Sequence, residues 1–333
     1  MHMADKDTVH HSDEELLINS LRARDWEEFH GQDLIKKSLR IAIKAASERG
    51  EPLDHILFYG PPGLGKTTLA HLVSKELESN IKITSGTALA KAGDLAAILT
   101  NLKDKDVLFI DEIHRLPKVV EETLYPAMED YALDIIIGKG PSARTVRLDL
   151  PKFTLVGATT RFGLLASPFR DRFGIVHRFN FYQPQELVHI LIKAANKLEI
   201  SLDEKAALAL ASRSRGTPRI ALRLLKRVRD FAQVNHKTSA SADLITSALE
   251  MLSIDKLGLD QNERHFLERI INKHNGGPIG LKTIAATIHE DPGTIEEVLE
   301  PYLLQLGFVK RTSQGRVITK QAYLYLGLQY PDS

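Results

Sequence analysis

Hydrophobic positions follow two different patterns along the chain. Between about residues 16 and 182, short apolar runs alternate with stretches of helical periodicity. The runs Ile56–Tyr59, Val107–Ile110 and Phe153–Val156 are continuously apolar, as expected of strands that are covered on both faces. This alternation predicts an α/β fold with a parallel sheet.

The strand pattern stops after this part of the chain. From about residue 184 to 253, apolar residues such as Leu187, Ile190 and Leu191 recur at helical spacing, and helices followed by a hairpin are predicted after Asp260. We therefore expect three domains, over residues 1–182, 183–255 and 256–333.

A glycine-rich turn follows the first strand. Gly60–Thr67 fits G-x-x-x-x-G-K-[ST] and comes directly after an apolar run, the context in which backbone N–H groups and a helix N-terminus bind phosphate. In this motif Lys66 reaches the β- and γ-phosphates, and the Thr67 hydroxyl ligates Mg²⁺. ATP and Mg²⁺ are therefore the expected cofactors. The expected phosphate-binding residues are Gly60, Pro61, Pro62, Gly63, Leu64, Gly65, Lys66, Thr67 and Thr68.

Polar side chains also follow the next two predicted strands. Asp111 and Glu112 come after Val107–Ile110, at the sheet edge where α/β proteins bind ligands. We expect Asp111 to hold Mg²⁺ and Glu112 to act as the general base on water. Thr160 follows the Phe153 strand and is a candidate for orienting that water, although strand-end threonines are also common in turns.

Five segments together resemble the RuvB family of branch-migration motors. They are Gly60–Thr68, Asp111–His114, Thr159–Arg161, Ser167–Gly174 and Gly216–Arg219, and the similarity covers nearly the whole chain. The resemblance implies a P-loop AAA+ parallel-sheet domain, a helical lid domain and a C-terminal winged-helix domain. It also implies a ring-forming motor that moves duplex DNA at four-way Holliday junctions.

The resemblance assigns further roles at the nucleotide. Thr160 would sense the γ-phosphate, Arg172 would be an arginine finger acting on the neighbouring subunit's ATP, and Arg219 would be a second sensor. A guanidinium at the γ-phosphate stabilises developing charge, but most arginines, such as Arg170, are surface cations. Leu21, Arg22 and Tyr182 would surround adenine and ribose, with Glu129, Asp130 and Tyr131 near the same pocket.

The C-terminal region shows a helix-turn-helix pattern followed by a hairpin. Leu281–Ile288 predicts the first helix, and a capping box of Thr294 and Glu297 predicts the start of the second, which Pro301 is expected to kink or end. Val309–Thr312 and Arg316–Thr319 predict the two strands of a wing around Ser313–Gly315.

The wing concentrates basic residues. Lys310, Arg311, Arg316 and Lys320 suit phosphate contacts that do not depend on base sequence. Winged helices also bind proteins, and the preceding helix is acidic, so the residues alone leave both interpretations open. The resemblance favours DNA, with Arg311 and Arg316 as the contacts.

A second hairpin is predicted inside the α/β region. Leu133–Ile137 and Thr145–Leu148 are β-rich arms around a Gly-Pro turn. The isoleucines Ile135, Ile136 and Ile137 could simply join the core, as most apolar strand residues do. The resemblance instead implies that they bind the partner protein RuvA.

The amino-acid composition excludes several kinds of site and of protein. The 333 residues carry a net charge of +1, contain 43% hydrophobic residues, and include no cysteine, which excludes disulfides and thiolate metal sites. No apolar run is long enough to span a membrane, and we expect a cytoplasmic protein.

The leading hypothesis is a homohexameric DNA motor acting with RuvA, with the RuvC resolvase as a further suggested partner. The alternatives are a clamp-loader subunit or a non-translocating ATP-dependent switch.

Overall fold

The computed structural model describes residues 20–137 and 144–331. They form two compact units. The first runs to Lys197 and also contains Gly216–Arg223, and the second contains Leu198–Arg215 and the described residues from Leu224 onwards. In the described part of the chain, no helix is both long and apolar enough to cross a membrane.

A parallel five-stranded sheet organises the first unit. The strands in chain order are β1 (Ile56–Tyr59), β2 (Ile81–Ser85), β3 (Val107–Asp111), β4 (Ala132–Ile137), β5 (Arg144–Asp149), β6 (Thr154–Thr159) and β7 (Ile175–Arg178). The sheet has the order β2-β3-β6-β1-β7, and β4 and β5 pair separately as an antiparallel hairpin. The predicted parallel α/β fold is confirmed.

The apolar runs of the sequence are the inner strands of this sheet. Every residue of β6 is buried, as are the first three of β1 and the first four of β3. Sequence patterns did not reveal β2 and β7, because both are edge strands with partly exposed, mixed side chains. Continuous apolar runs therefore mark only the centre of the sheet.

The first unit contains six α-helices among its described residues. They are α1 (Asp33–Arg49), α2 (Lys66–Glu76), α3 (Ala92–Leu99), α4 (Lys118–Glu129), α5 (Ser167–Arg170) and α6 (Pro184–Lys197). Leu95 of α3 and Leu124 of α4 belong to one buried cluster with Leu108 and Ile110 of β3. Their packing fixes the carboxyl end of β3, which carries Asp111.

The predicted inserted hairpin is present as β4 and β5, with Ile135 opposite Val146 and Ile136 opposite Thr145. Its turn, Gly138–Pro141, lies outside the described residues. Three helices follow α6, namely α7 (Glu204–Ser212), α8 (Pro218–Val234) and α9 (Ala242–Met251). The predicted helical region is therefore confirmed.

The C-terminal part of the second unit is a winged helix, as predicted. It contains α10 (Gln261–His274), α11 (Leu281–Ile288), α12 (Pro292–Thr294), a π-helical turn (Ile295–Leu299), α13 (Glu300–Gln305), β8 (Val309–Thr312), β9 (Gly315–Ile318) and α14 (Lys320–Tyr325). Phe266, Ile284, Leu303 and Phe308 form part of its buried core.

Two local predictions for this domain were wrong, the start of the second helix and the start of the second wing strand. The second helix begins at Pro292, because the Asp291 side chain accepts a hydrogen bond from the Gly293 N–H at 2.7 Å and replaces the expected Thr294 cap. A π-helical turn interrupts the α-helix directly before Pro301, which lies in the first turn of α13, where a missing N–H costs little, and the kink expected at Pro301 stays a prediction. The second wing strand begins at Gly315, one residue earlier than predicted.

Candidate nucleotide site and DNA-binding wing

The glycine-rich turn lies between β1 and α2. Gly63 and Gly65 have φ angles of 76° and 100°, a region that residues with a Cβ rarely adopt. A Cβ on Gly63 would lie 2.9 Å from side-chain atoms of both Thr217 and Arg219. Glycine therefore lets the loop lie directly against the segment that carries Arg219.

Lys66 is the first residue of α2 and is buried. Its Nζ donates hydrogen bonds to the carbonyl oxygens of Gly60 and Pro61, both at 2.8 Å. Burial lowers the pKa of Lys66, against the opposing effect of Asp111 and Glu112. The ammonium group thus lies inside a loop that leads into a helix N-terminus, an arrangement suited to an anionic phosphate.

The two carboxylates of the motif have different environments at the end of β3. Burial raises the pKa of Asp111, while the charges of Lys66 and Arg22 oppose that shift. Asp111 accepts a hydrogen bond from the Glu112 N–H at 2.9 Å. Glu112 has a φ of 47° and a ψ of 46°, so a residue with a side chain occupies the left-handed region at the strand end.

Side chains from two neighbouring strand ends meet at Glu112. The Thr160 hydroxyl donates to Glu112 Oε2 at 3.2 Å, and His114 Nδ1 is 3.1 Å from the same oxygen. The same ring nitrogen lies 2.9 Å from Thr159 Oγ1. Burial lowers the pKa of His114 although Glu112 opposes the shift, which favours the neutral imidazole at pH 7. No role for His114 or Thr159 was predicted from the sequence.

A cavity of about 330 Å³ within the first unit brings most of the predicted residues together. Pro62–Thr68 line its phosphate end, together with Asp111, Glu112 and Thr160. Arg22 and Arg219 also line it, and the pKa of Arg22 is lowered first by burial and then by the charge of Arg219. Leu21 and Tyr182 complete the predicted set, and the Tyr182 hydroxyl donates to the Leu64 carbonyl at 3.2 Å.

One wall of this cavity was not predicted from the sequence. Ile190, Lys193 and Lys197 of α6 line it. Their spacing of three and four residues places them on one helix face, which is a pattern that the sequence contained. The neighbouring wall carries Phe29 and His30, and the His30 ring stacks on His189 with centroids 5.2 Å apart.

The remaining predicted residues lie outside the cavity lining. Gly60 and Pro61 begin the turn and contact Lys66. Arg172 pairs with Glu129 at 3.0 Å, and its guanidinium lies 4.1 Å from the centre of the Tyr125 ring. Asp130 pairs with Arg147 at 2.6 Å, and Tyr131 contacts Phe153. Arg172 and Glu129 thus contact each other outside the lining of this chain's own nucleotide cavity.

The donor set fits a nucleotide-bound Mg²⁺. In residues 20–137 and 144–331, no group of three or more histidine, aspartate or glutamate side chains is placed to hold a metal ion. Thr67 and Asp111 both line the phosphate end of the cavity and offer one hydroxyl and one carboxylate. Mg²⁺ is typically held by one or two such groups, by water and by substrate phosphates, so these residues suffice.

The two predicted DNA-binding arginines of the wing are ion-paired. Arg316 donates to Glu300 at 2.9 Å and to Glu296 at 2.7 Å. Arg311 donates to Glu300 at 2.6 Å. The Glu300 side chain is fully buried, whereas the Arg311 side chain is 50% exposed and that of Arg316 14% exposed. The cationic wing is therefore partly neutralised by its own domain.

A P-loop on a parallel sheet, a carboxylate pair at the next strand end, a helical region and a winged helix define an AAA+ ATPase. Three family profiles match in order: the Holliday junction DNA helicase RuvB P-loop domain over residues 21–179, the RuvB AAA lid domain over 182–255, and the RuvB C-terminal winged helix domain over 256–327. The chain belongs to the RuvB family.

Solved structures agree with this assignment. The Thermotoga maritima RuvB Holliday junction branch migration motor is 50% identical to this chain, with coverage of 93% of this chain and 99% of that chain and a TM-score of 0.84. A mutant of Thermotoga maritima RuvB is also 50% identical, with coverage of 94% and 100% and a TM-score of 0.85. The chain is therefore a P-loop ATPase of the Holliday junction motor family, which acts on DNA.

Proposed function

We propose that this chain is a cytoplasmic, hexameric motor that pulls duplex DNA to drive branch migration with RuvA. The observation that carries the proposal is the separation of two sets of groups. Lys66, Asp111 and Glu112 line one nucleotide cavity, whereas Arg172 lies on a different surface beside Glu129. A finger outside its own cavity supports hydrolysis that is completed by a neighbouring subunit.

Each residue at the cavity has a chemical role in this proposal. Lys66 and Arg219 bind the phosphates, and Thr160 senses the terminal one. Thr67 and Asp111 hold Mg²⁺, which neutralises phosphate charge. Glu112 accepts a proton from the attacking water. Leu21, Arg22 and Tyr182 enclose the base and ribose, and Glu129, Asp130 and Tyr131 act from the neighbouring subunit together with Arg172.

The remaining proposals concern DNA and partners. Arg311 and Arg316 contact DNA phosphates, and the hairpin strand that contains Ile135, Ile136 and Ile137 docks on RuvA through one of its two faces. RuvC is proposed as a further partner in processing the junction. The division into domains at residues 182/183 and 255/256 is part of the same proposal, with a large ATPase domain, a lid and a DNA-binding head.

Branch migration of a synthetic four-way junction tests this function directly. Purified full-length protein with ATP, Mg²⁺ and RuvA should convert the junction into two duplexes, with much less product when RuvA is omitted. Lys66→Ala protein is the matched control for loss of nucleotide use. ATP hydrolysis without any junction conversion, at protein concentrations that form rings on DNA, would refute the motor and favour a non-translocating switch.

A further inference from the structure

An aromatic ring lies against the guanidinium of the proposed arginine finger. The central carbon of the Arg172 guanidinium is 4.1 Å from the centre of the Tyr125 ring, within the range at which a ring face attracts a cation. Tyr125 lies on α4, four residues before Glu129, and residues at this spacing share a helix face. Glu129 pairs with the same guanidinium. One face of α4 therefore offers Arg172 both an aromatic ring and a carboxylate.

The Tyr125 ring is held in place by two further contacts. Its hydroxyl donates a hydrogen bond to Glu121 Oε1 at 2.6 Å, and its ring centre is 5.9 Å from that of Phe169, which is fully buried. Burial and the hydrogen bond to Glu121 raise the pKa of Tyr125 to about 12, so the hydroxyl keeps its proton at neutral pH and remains a donor. The ring is therefore a fixed surface against which the guanidinium packs.

Arg172 needs such a surface because its own side chain is long. It comes two residues after α5, a helix of only four residues, and an arginine side chain loses much rotamer freedom when it is held in one position. Its Nη1 donates to the Pro168 carbonyl oxygen at 2.5 Å, and its Nη2 lies 3.0 Å from Glu129 Oε1. The side chain is only 21% exposed. The guanidinium is thus ordered within its own subunit by a ring, a carbonyl and a carboxylate.

The three contacts differ in whether they can persist when Arg172 binds a phosphate. The Pro168 carbonyl and the Glu129 carboxylate both contact guanidinium nitrogens, and a phosphate is bound through the N–H groups of the same nitrogens. The Tyr125 ring lies under the guanidinium carbon, and the attraction between a ring face and a cation uses no N–H donor. Tyr125 is therefore the contact that can stay in place while the N–H groups turn from Glu129 to a phosphate.

We propose that Tyr125 is a positioning residue, whose ring holds the Arg172 guanidinium in the orientation that reaches the terminal phosphate of the neighbouring subunit's ATP. The proposal rests on the proposed role of Arg172 as a finger in trans. Tyr125 is not among the residues that line the cavity of its own subunit, and no proton moves through it. Its contribution is to the rate of hydrolysis at the neighbouring site, and not to the affinity of its own subunit for ATP.

A second pair of an arginine and an aromatic ring in the first unit serves as a matched comparison. Arg170 lies over the Phe162 ring, 5.0 Å from its centre. Phe162 and Tyr125 are both half-buried and pack against the same core cluster. Arg170 has no part in the proposed reaction. Loss of the Phe162 ring therefore shows what the loss of a half-buried ring beside an arginine does to folding alone.

Two substitutions at Tyr125 separate the ring from the hydroxyl. Tyr125→Phe keeps the ring and loses only the hydrogen bond to Glu121, so kcat for ATP hydrolysis by rings on duplex DNA should stay within about threefold of wild type. Tyr125→Leu keeps an apolar side chain but removes the ring, and we expect kcat to fall roughly 10- to 100-fold, as for a misplaced reactive group. KM should change by less than about threefold, because the phosphate contacts remain.

Mixed rings and the comparison variant show where the loss arises. Lys66→Ala subunits have an intact Tyr125 and Arg172, so mixing them with Tyr125→Leu subunits should restore part of the activity. Mixing Tyr125→Leu with Arg172→Ala should restore none, because both variants carry a defective finger. Phe162→Leu should lower the melting temperature and keep kcat per folded molecule within about threefold of wild type.

The proposal is overturned by wild-type kcat in Tyr125→Leu, or by an equal loss in Tyr125→Phe or Phe162→Leu. It is also overturned if Tyr125→Leu and Lys66→Ala subunits co-assemble without recovery. If leucine prevents folding, trifluorophenylalanine in place of Tyr125 decides, because it keeps the ring shape and weakens its attraction for a cation. A kcat equal to that of Tyr125→Phe would then overturn the proposal. Failure of Arg172→Ala and Lys66→Ala to complement would instead refute the finger in trans, so the two failures are distinguishable.

Discussion

Arg316 of the wing is paired with Glu300, a carboxylate that has no solvent-exposed surface. The same guanidinium donates to Glu296 at the surface. Burial acts to raise the pKa of Glu300, but hydrogen bonds from Arg311 and Arg316 outweigh it and keep the pKa below its usual value. To contact DNA as proposed, Arg316 must therefore exchange one of its carboxylate partners for a phosphate, or bind both at once.

Removal of the Glu296 carboxylate, which lies at the surface beside Arg316, should strengthen DNA binding. In Glu296→Gln, Arg316 keeps Glu300 but loses a competitor of phosphate that is 43% exposed. Exposed ion pairs are worth roughly 0.2–1 kcal/mol, so we expect affinity for duplex DNA to rise about 1.4- to 5-fold at low salt. Fluorescence anisotropy with labelled duplex measures it. Glu290→Gln makes the same charge change away from this pair, and an equal gain there would indicate a general charge effect instead.

The two wing arginines should differ in their effect on stability. Arg316→Ala removes one of two cations from fully buried Glu300, whereas Arg311 is half exposed. We expect Arg316→Ala to lower the free energy of unfolding by roughly 1–3 kcal/mol, the range for an incompletely satisfied buried group. Arg311→Ala should cost less, and both should weaken DNA binding and flatten its salt dependence. Denaturant titration and binding at several salt concentrations test this, and equal stability losses would contradict it.

The sequence predicted the centre of the fold and most of the nucleotide site because both rest on short local patterns. A buried strand followed by glycines, Lys66 and Thr67 specifies where phosphate binds, and the strand before Asp111 specifies the position of the carboxylates. These features need no knowledge of distant contacts.

Contacts between distant segments could not be predicted in this way. The approach of His114 to Glu112 depends on a left-handed backbone at residue 112 and on the register of β3 with β6. Likewise, Glu300 is an ordinary helical glutamate in the sequence. The π-helical turn before it and the pairing of β8 with β9 bring it to both arginines. The cationic residues of the wing were therefore predicted from the sequence, but the carboxylates that pair with them were not.

Nucleotide binding and hydrolysis should respond differently to changes at Lys66 and Glu112. Lys66→Ala removes the buried ammonium and should weaken ATP binding roughly 10- to 100-fold, the effect of a charged hydrogen bond. Glu112→Gln keeps the shape of the site and should leave ATP affinity within about threefold while hydrolysis falls by about 10²–10⁴. Binding of a fluorescent ATP analogue and phosphate release measure the two steps. Wild-type turnover in Glu112→Gln would show that Glu112 is not the general base.

Arg172 should act on a neighbouring subunit. Arg172→Ala should bind ATP normally and lose hydrolysis by about 10³–10⁵, the contribution of an arginine finger. A mixture of Arg172→Ala with Lys66→Ala subunits should regain part of the activity, because some interfaces then combine an intact P-loop with an intact finger. Each variant alone is the control. Mixtures shown to co-assemble that stay inactive would contradict a role in trans.

The β4–β5 hairpin should mediate stimulation by RuvA. Val146 and Leu148 of β5 are 39% and 37% exposed, so this hairpin presents apolar surface, which often marks a protein contact. Ile135 lies opposite Val146, and Ile136 lies opposite Thr145. Directly opposite residues share a face of an antiparallel pair. The register therefore predicts that the apolar face contains Ile135 and Ile137, with Ile136 on the other face.

Aspartate substitutions test which face binds. Ile135→Asp, Ile137→Asp and Val146→Asp should abolish RuvA binding and its stimulation of ATP hydrolysis, while basal hydrolysis and the melting temperature persist. Ile136→Asp changes the same charge on the opposite face, and we expect it to retain most binding. Calorimetry with purified RuvA measures the affinities. Wild-type affinity in all four variants would assign these residues to packing within the chain, and a loss confined to Ile136→Asp would place the contact on the opposite face.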